Sequence, residues 1–85
     1  MKYRSRIDIT NLILKSTIKG TTKTKIMYKA YLSYTQVMEY LKVLQENDLL
    51  KFERGTQLYR TTEKGFKFLS ASNQLNELLN LKNYT

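Results

Sequence analysis

The 85-residue sequence contains no cysteine, no histidine and no proline. Without cysteine and histidine, the chain cannot form disulfides, thiolate nucleophiles, imidazole acid–base groups or the usual zinc sites. The seven Asp and Glu residues form no paired-carboxylate pattern, and no glycine-rich phosphate loop is present. We therefore expect a protein that is not an enzyme and that uses no metal and no cofactor.

Long apolar runs are also missing. The longest aliphatic run is Leu12 to Leu14, whereas a membrane-spanning helix needs about 20 apolar residues. The basic start from Met1 to Arg6 is not followed by the apolar stretch of a signal peptide. We expect a soluble, cytoplasmic protein without a membrane partner. So short a chain buries only about 60 to 65% of its unfolded surface, so surplus apolar surface would favour an oligomer.

Positive charge is concentrated in the first third of the sequence. Residues 2–29 carry eight basic residues and one acid, a net charge of +7, whereas residues 30–85 carry seven basic and six acidic residues, a net of +1. Such a separation is expected of a surface that meets phosphates. A basic surface that serves only solubility is the simpler alternative. The clustered cations are Lys2, Arg4, Arg6, Lys15, Lys19, Lys23, Lys25 and Lys29.

A first helix is predicted from about Ser5 to Lys19, ending at Gly20 in the left-handed position that follows many helices. Its apolar residues fall on two sides. One side can face the core, and the other needs the last helix or a partner chain, unless it stays exposed. One side contains Ile7, Leu14 and Ile18, and the opposite side contains Ile9, Leu12 and Ile13.

Two further helices are predicted to form a helix-turn-helix. Thr22 can cap a short helix that ends near Ala30 and turns its lysines outward. Ser33 and Gln36 have the spacing of a capping box, which begins a third helix that extends to about Asn47. Its predicted inner arc contains Tyr34, Val37, Met38, Tyr40, Leu41 and Leu44, and its outer arc Thr35, Gln36, Glu39, Lys42 and Glu46.

A β-hairpin follows the third helix. Leu50 to Arg54 and Gln57 to Thr61 have strand-like composition, and Gly55-Thr56 favours a tight reversal between them. A hairpin in this place is typical of the wing of a winged helix. The wing cations Lys51, Arg54 and Arg60 are candidates for contact with a nucleic-acid backbone.

A final helix is predicted from Thr62 to about Leu81. Gly65, Phe66 and Leu69 share a side that can close the core. A second side has coiled-coil spacing and predicts a homodimer interface, with packing against the first helix as the alternative. That interface comprises Phe68, Ala71, Leu75, Leu78 and Leu79. Residues 1–61 are thus expected to form the winged core, and residues 62–85 to complete it and pair with a second copy.

Several segments between Tyr3 and Leu69 together are similar to one family, the small archaeal winged-helix proteins of the ArnR-like type. They are Tyr3 to Arg6, Lys23 to Ala30, Leu32 to Tyr34, Tyr40-Leu41, Asn47 to Leu50 and Tyr59 to Gly65. The resemblance implies a mainly α fold in which the third helix enters the major groove, the wing flanks it, and the last helix pairs in an antiparallel coiled coil. The sequence departs from the family in its short last helix and in Asp48, where glycine is expected.

These patterns predict a protein that binds double-stranded DNA, either as a transcription regulator or as a chromatin-associated protein. Gln36 is suited to adenine and Thr35 to a thymine methyl group. The predicted recognition residues are Ser33, Tyr34, Thr35, Gln36, Glu39 and Lys42, and the predicted phosphate contacts are Arg4, Arg6, Lys23, Lys25 and Lys29. Tyr40 and Tyr59 fall at core-like positions, which favours packing over base stacking. The alternative function is a protein-interaction module with an acidic partner.

Overall fold

Across residues 4–79, four helices and one β-hairpin follow one another in the predicted order, so the predicted mainly α fold with a small hairpin is confirmed. The computed structural model describes residues 4–79, and the predicted helix end near Leu81 lies outside that range. The elements are α1 (Arg6–Ser16), α2 (Lys23–Lys29), α3 (Tyr34–Glu46), β1 (Leu50–Glu53), β2 (Leu58–Thr61) and α4 (Glu63–Leu79). Within residues 4–79, no helix has both the length and the apolar character needed to cross a membrane.

The first helix presents a single arc to the core, so the predicted division into two apolar sides is wrong. Ile13 and Leu14 are both fully buried, and Thr10 and Thr17 are buried beside them. These four positions have the i, i+3, i+4, i+7 spacing of one helix face. The remaining apolar residues of the prediction are Ile9, which is half-buried, and Ile7, Leu12 and Ile18, which are exposed.

The end of α1 also differs from the prediction, because Thr17 stops the helix three residues before Gly20. The Thr17 hydroxyl lies 3.0 Å from the Ile13 carbonyl oxygen and 2.7 Å from the Thr61 hydroxyl. These contacts bind the end of α1 to β2 inside the core. Gly20 does adopt the predicted left-handed conformation, with φ +88°, and a Cβ atom there would lie 3.0 Å from Arg60 Cζ.

The hairpin strands are antiparallel, with Leu50 opposite Thr61 and Glu53 opposite Leu58. Four residues from Arg54 to Gln57 connect them, so the predicted two-residue reversal at Gly55-Thr56 is wrong. The left-handed residue is Gln57, with φ 61°, and its N–H donates to the Glu53 carbonyl at 2.7 Å.

Two short links hold α2 and α3 against the rest of the fold. Before α2, Thr21 forms an isolated bridge to Tyr59 of β2. After α3, Asp48 takes the left-handed conformation (φ 61°) that its turn requires, and Lys64 donates to the Asn47 carbonyl at 2.9 Å. A cation at the carboxyl end of a helix is favourable because the last carbonyls carry partial negative charge.

The rotation of α4 about its axis differs from the prediction. Gly65 is buried, and Phe68 and Leu69 pack against the core. Phe66, predicted to close the core, is instead 46% exposed, whereas Phe68, predicted for the partner interface, is half-buried against the core. The close approach of Gly65 to the Leu49 carbonyl decides this rotation, since only that side of α4 can reach the sheet. The other predicted interface residues, Ala71, Leu75, Leu78 and Leu79, are exposed.

Candidate nucleic-acid interface

A capping box begins α3, as predicted. The Ser33 hydroxyl accepts from the Gln36 N–H at 3.2 Å, and Gln36 Oε1 accepts from the Ser33 N–H at 2.9 Å. The carboxamide oxygen of Gln36 therefore already accepts a hydrogen bond at the start of the helix, while its nitrogen can donate to another partner. The predicted pairing with adenine requires Oε1 to accept a second hydrogen bond or to release Ser33.

The outer face of α3 is open to solvent along its whole length. Val37, Leu41 and Leu44 hold the opposite side in the core. Tyr34 and Met38 were predicted to face inward, but both are exposed, because the buried positions form a narrower arc than predicted. The exposed polar residues on this face are Thr35, Gln36, Glu39, Lys42 and Glu46.

Helix α2 carries three lysines, and the first of them lies beside the beginning of α3. The Lys23 ammonium is 3.5 Å from the Tyr34 hydroxyl and 5.1 Å from the centre of its ring. Lys25 and Lys29 are exposed. No acid occurs between Asp8 and Glu39 in the sequence, so no neighbour within this stretch offsets these charges.

The two predicted N-terminal arginines have different surroundings. Arg4 donates from Nη1 to the Ala30 carbonyl at 2.5 Å and from Nη2 to the Tyr31 carbonyl at 3.1 Å. These bonds tie the start of the described chain to the end of α2 and use guanidinium donors that a phosphate contact would need. Arg6 is exposed and lines a groove between α1 and α3. The other residues of the groove are Thr10, Glu39, Tyr40, Lys42, Val43, Leu44 and Glu46.

The charge on α3 itself is slightly negative, because its outer face carries Lys42 between Glu39 and Glu46. Attraction to phosphates must therefore come from the elements beside α3. The arrangement suits a division of roles in which α3 reads bases and the flanking lysines bind the backbone.

One of the predicted wing cations is engaged within the sheet. Arg60 Nε donates to Glu53 Oε1 at 2.7 Å, and its guanidinium also covers Gly20. The Arg60 hydrogen bond holds the pKa of Glu53 below its ordinary value, and the Thr56 hydroxyl lowers that pKa further. Lys51 lies opposite Arg60 on the neighbouring strand and is exposed, as is Arg54 in the turn. The wing thus presents Lys51 and Arg54 to solvent.

Sequence reasoning missed two exposed aromatic residues, Tyr28 and Tyr31. Helical periodicity gives no signal for Tyr31 because it lies in the turn between α2 and α3. Tyr28 occupies the outer side of a helix of only seven residues.

A family model described as winged helix-turn-helix matches residues 3–80. The chain belongs to the winged helix-turn-helix family. Among curated proteins, no match to the sequence is found. The finer resemblance to archaeal ArnR-like proteins stays a prediction.

Structures of ZitR from Lactococcus lactis share this winged helix-turn-helix fold. Wild-type ZitR is 26% identical over 99% of this chain and 64% of its own, with a TM-score of 0.60. A cysteine-to-serine mutant of ZitR in complex with DNA is 26% identical over 98% of this chain and 63% of its own, with a TM-score of 0.62. Wild-type ZitR in complex with DNA is 24% identical over 99% of this chain and 66% of its own, with a TM-score of 0.60. The chain thus spans less than two thirds of the length of these ZitR chains.

Proposed function

We propose that this winged helix-turn-helix chain binds double-stranded DNA, with the outer face of α3 in the major groove. The observation that carries the proposal is the open face of α3 beside the acid-free, lysine-bearing α2. The DNA complexes of ZitR support it, because a chain of the same fold and 26% identity is bound to DNA there.

Base contacts are assigned to the first turns of α3, which approach base edges in helix-turn-helix proteins. Thr35 can meet a thymine methyl group, and the Gln36 amide nitrogen can donate to a purine N7. Glu39 can accept from cytosine N4, while Lys42 can donate to guanine. Ser33 and Tyr34 stand at the edge of this surface, where contact with the backbone is geometrically simpler.

Phosphate contacts are assigned to the exposed cations around α3. Lys25 and Lys29 lie on one side, with Lys23 held against Tyr34. Arg6 borders the other side of α3, and Lys51 and Arg54 extend from the wing. Arg4 and Arg60 contribute charge but are assigned to the fold, because their guanidinium groups already donate to protein oxygens.

A homodimer through α4 completes the proposal. Beyond Ser72 every described residue of α4 is exposed, including Leu75, Leu78 and Leu79, with Leu78 at 81%. A second copy of the helix would cover these leucines and place two α3 helices on successive turns of DNA. A dimer that strongly prefers one site over random duplex would act as a transcription regulator, and near-equal binding would indicate a chromatin-associated role in the nucleoid.

Removal of Lys25 and Lys29 tests the duplex proposal. In the Lys25→Ala/Lys29→Ala variant, the slope of log affinity against log salt should become shallower by about 1.8, since each phosphate contact contributes about 0.9. The measurement is fluorescence anisotropy of a labelled random-sequence duplex over a series of salt concentrations, starting low.

The matched control is Lys15→Ala/Lys67→Ala, which removes the same charge from exposed positions on α1 and α4. Its slope of log affinity against log salt should stay within about 0.45 of the wild-type slope, which is half the contribution of one phosphate contact. Equal salt slopes for the two double variants would show that α2 is not part of the interface. A wild-type chain that binds no duplex at low salt would refute the proposal.

A further inference from the structure

Two tyrosines near the turn between α2 and α3 are exposed to a degree that packing does not explain. Tyr28 is 70% exposed and Tyr31 is 83% exposed. They lie one turn apart, since the Tyr31 N–H donates to the Tyr28 carbonyl at 3.3 Å. Tyr40 and Tyr59, in contrast, pack against the core as the sequence predicts. The two exposed rings thus offer aromatic faces to a partner.

The backbone of Tyr31 adopts a conformation that is unfavourable for a bulky residue. Its φ is 54°, in the left-handed region that glycine adopts most easily and bulky residues disfavour. The Leu32 N–H donates to the Met27 carbonyl at 3.0 Å, which closes the helix end in the pattern where glycine is the usual residue at this position. A strained tyrosine whose ring makes so little contact with its own fold points to a role in binding.

The charge around the two rings is positive. Lys25 lies three residues before Tyr28 on the same side of α2, Lys29 follows it, and Arg4 donates to the Tyr31 carbonyl. No acid occurs in residues 9–38. Aromatic faces among cations match the chemistry of unpaired nucleotides, whose bases stack on rings while their phosphates attract lysine. A paired duplex does not offer base faces, so this chemistry differs from that proposed for α3.

We propose that Tyr28 and Tyr31, with the lysines of α2, form a site that stacks unpaired bases of a single-stranded nucleic acid. The site adjoins the proposed duplex surface through Lys23, whose ammonium rests on the ring of Tyr34. It does not depend on duplex binding, because neither ring is assigned to the outer face of α3. Single-stranded DNA and RNA share the chemistry of the contact.

The test uses labelled oligothymidine and oligouridine of about 12 nucleotides, a length that fits a site of this kind. Tyr28→Ala/Tyr31→Gly is expected to weaken binding by about 25-fold or more, because each of the two lost stacking platforms costs about fivefold or more. Tyr28→Phe/Tyr31→Phe keeps both ring faces and should bind within about twofold of the wild type. Phe66→Ala removes an exposed aromatic ring from α4 and is expected to leave binding unchanged. Oligodeoxyuridine, which differs from oligouridine only in its sugar, then shows whether DNA or RNA is preferred.

Two further readouts keep the outcomes distinct. Tyr31→Gly alone is expected to raise the melting temperature, since glycine relieves the left-handed backbone, so its loss of binding cannot come from unfolding. The affinity for duplex DNA, measured in parallel, should change little in the Tyr28→Ala/Tyr31→Gly variant. A wild-type chain that binds single strands but no duplex would refute only the proposal for α3. The stacking proposal is overturned by a wild type that binds neither oligonucleotide or by unchanged binding in the alanine–glycine variant. An equal loss in the phenylalanine variant would also overturn it, because that result indicates hydroxyl contacts with phosphate.

Discussion

Replacement of Gly65 by alanine is expected to lower the free energy of unfolding by about 3 kcal/mol or more, because it overpacks a junction that cannot relax. A Cβ atom at Gly65 would lie 2.5 Å from the Leu49 carbonyl oxygen and 2.5 Å from Thr61 Cγ2. The Leu49 carbonyl accepts from the Thr62 N–H, and the Thr61 hydroxyl bonds to the Leu14 carbonyl. Relief of the clash would therefore move α4 away from both the sheet and α1.

Urea unfolding followed by circular dichroism measures this effect. Gly55→Ala is the matched control, because a Cβ atom at Gly55 meets nothing within 4 Å. That variant should stay within about 1 kcal/mol of the wild type. A Gly65→Ala variant as stable as the Gly55→Ala control would show that α4 does not approach the sheet as described.

Replacement of Leu75, Leu78 and Leu79 by serine is expected to convert a dimer into a monomer. These leucines are exposed and none belongs to the buried core, so the monomer fold should be retained while the apolar surface for a second copy is lost. A dimer binds two half-sites at once, and loss of that linkage should weaken duplex binding by about a hundredfold. Light scattering gives the particle mass, and anisotropy with a labelled duplex gives the affinity.

The control for this triple variant is Phe66→Ser, an exposed position on α4 away from the leucines. It should leave particle mass and affinity unchanged. If the wild type is a monomer at concentrations where it binds duplex fully, the α4 dimer is wrong, although the contact of a single chain with DNA is unaffected. A triple variant that remains dimeric would place the interface elsewhere.

Local chemistry made most of the fold predictable. The Thr22 cap, the capping box at Ser33 and Gln36, and the hairpin after Leu50 depend on neighbouring residues, and all three occur in the structure. Helix rotation was less predictable. In α1, Thr10 and Thr17 are buried beside Ile13 and Leu14, and a helical-wheel pattern based on apolar residues does not count threonine as a core residue. In α4 the contact of one glycine with a distant carbonyl decides which phenylalanine packs against the core.

The candidate interface was predictable to the extent that it depends on charge density. The exposed lysines of α2 follow from the net charge of the first third of the chain. Arg4 and Arg60 are held by partners that no local pattern reveals, since Arg4 meets a carbonyl 26 residues away and Arg60 meets Glu53 only when the hairpin closes. The exposure of Tyr31 likewise depends on the conformation of the turn.

A backbone amide NMR titration of the chain with a short duplex at low salt tests directly whether α3 lies against the DNA. The largest shift changes are expected at Thr35, Gln36, Glu39 and Lys42, with smaller changes at Lys25, Lys29 and Arg54. Changes confined to α4 and the buried side of α1, or none at saturating duplex, would contradict this placement of α3.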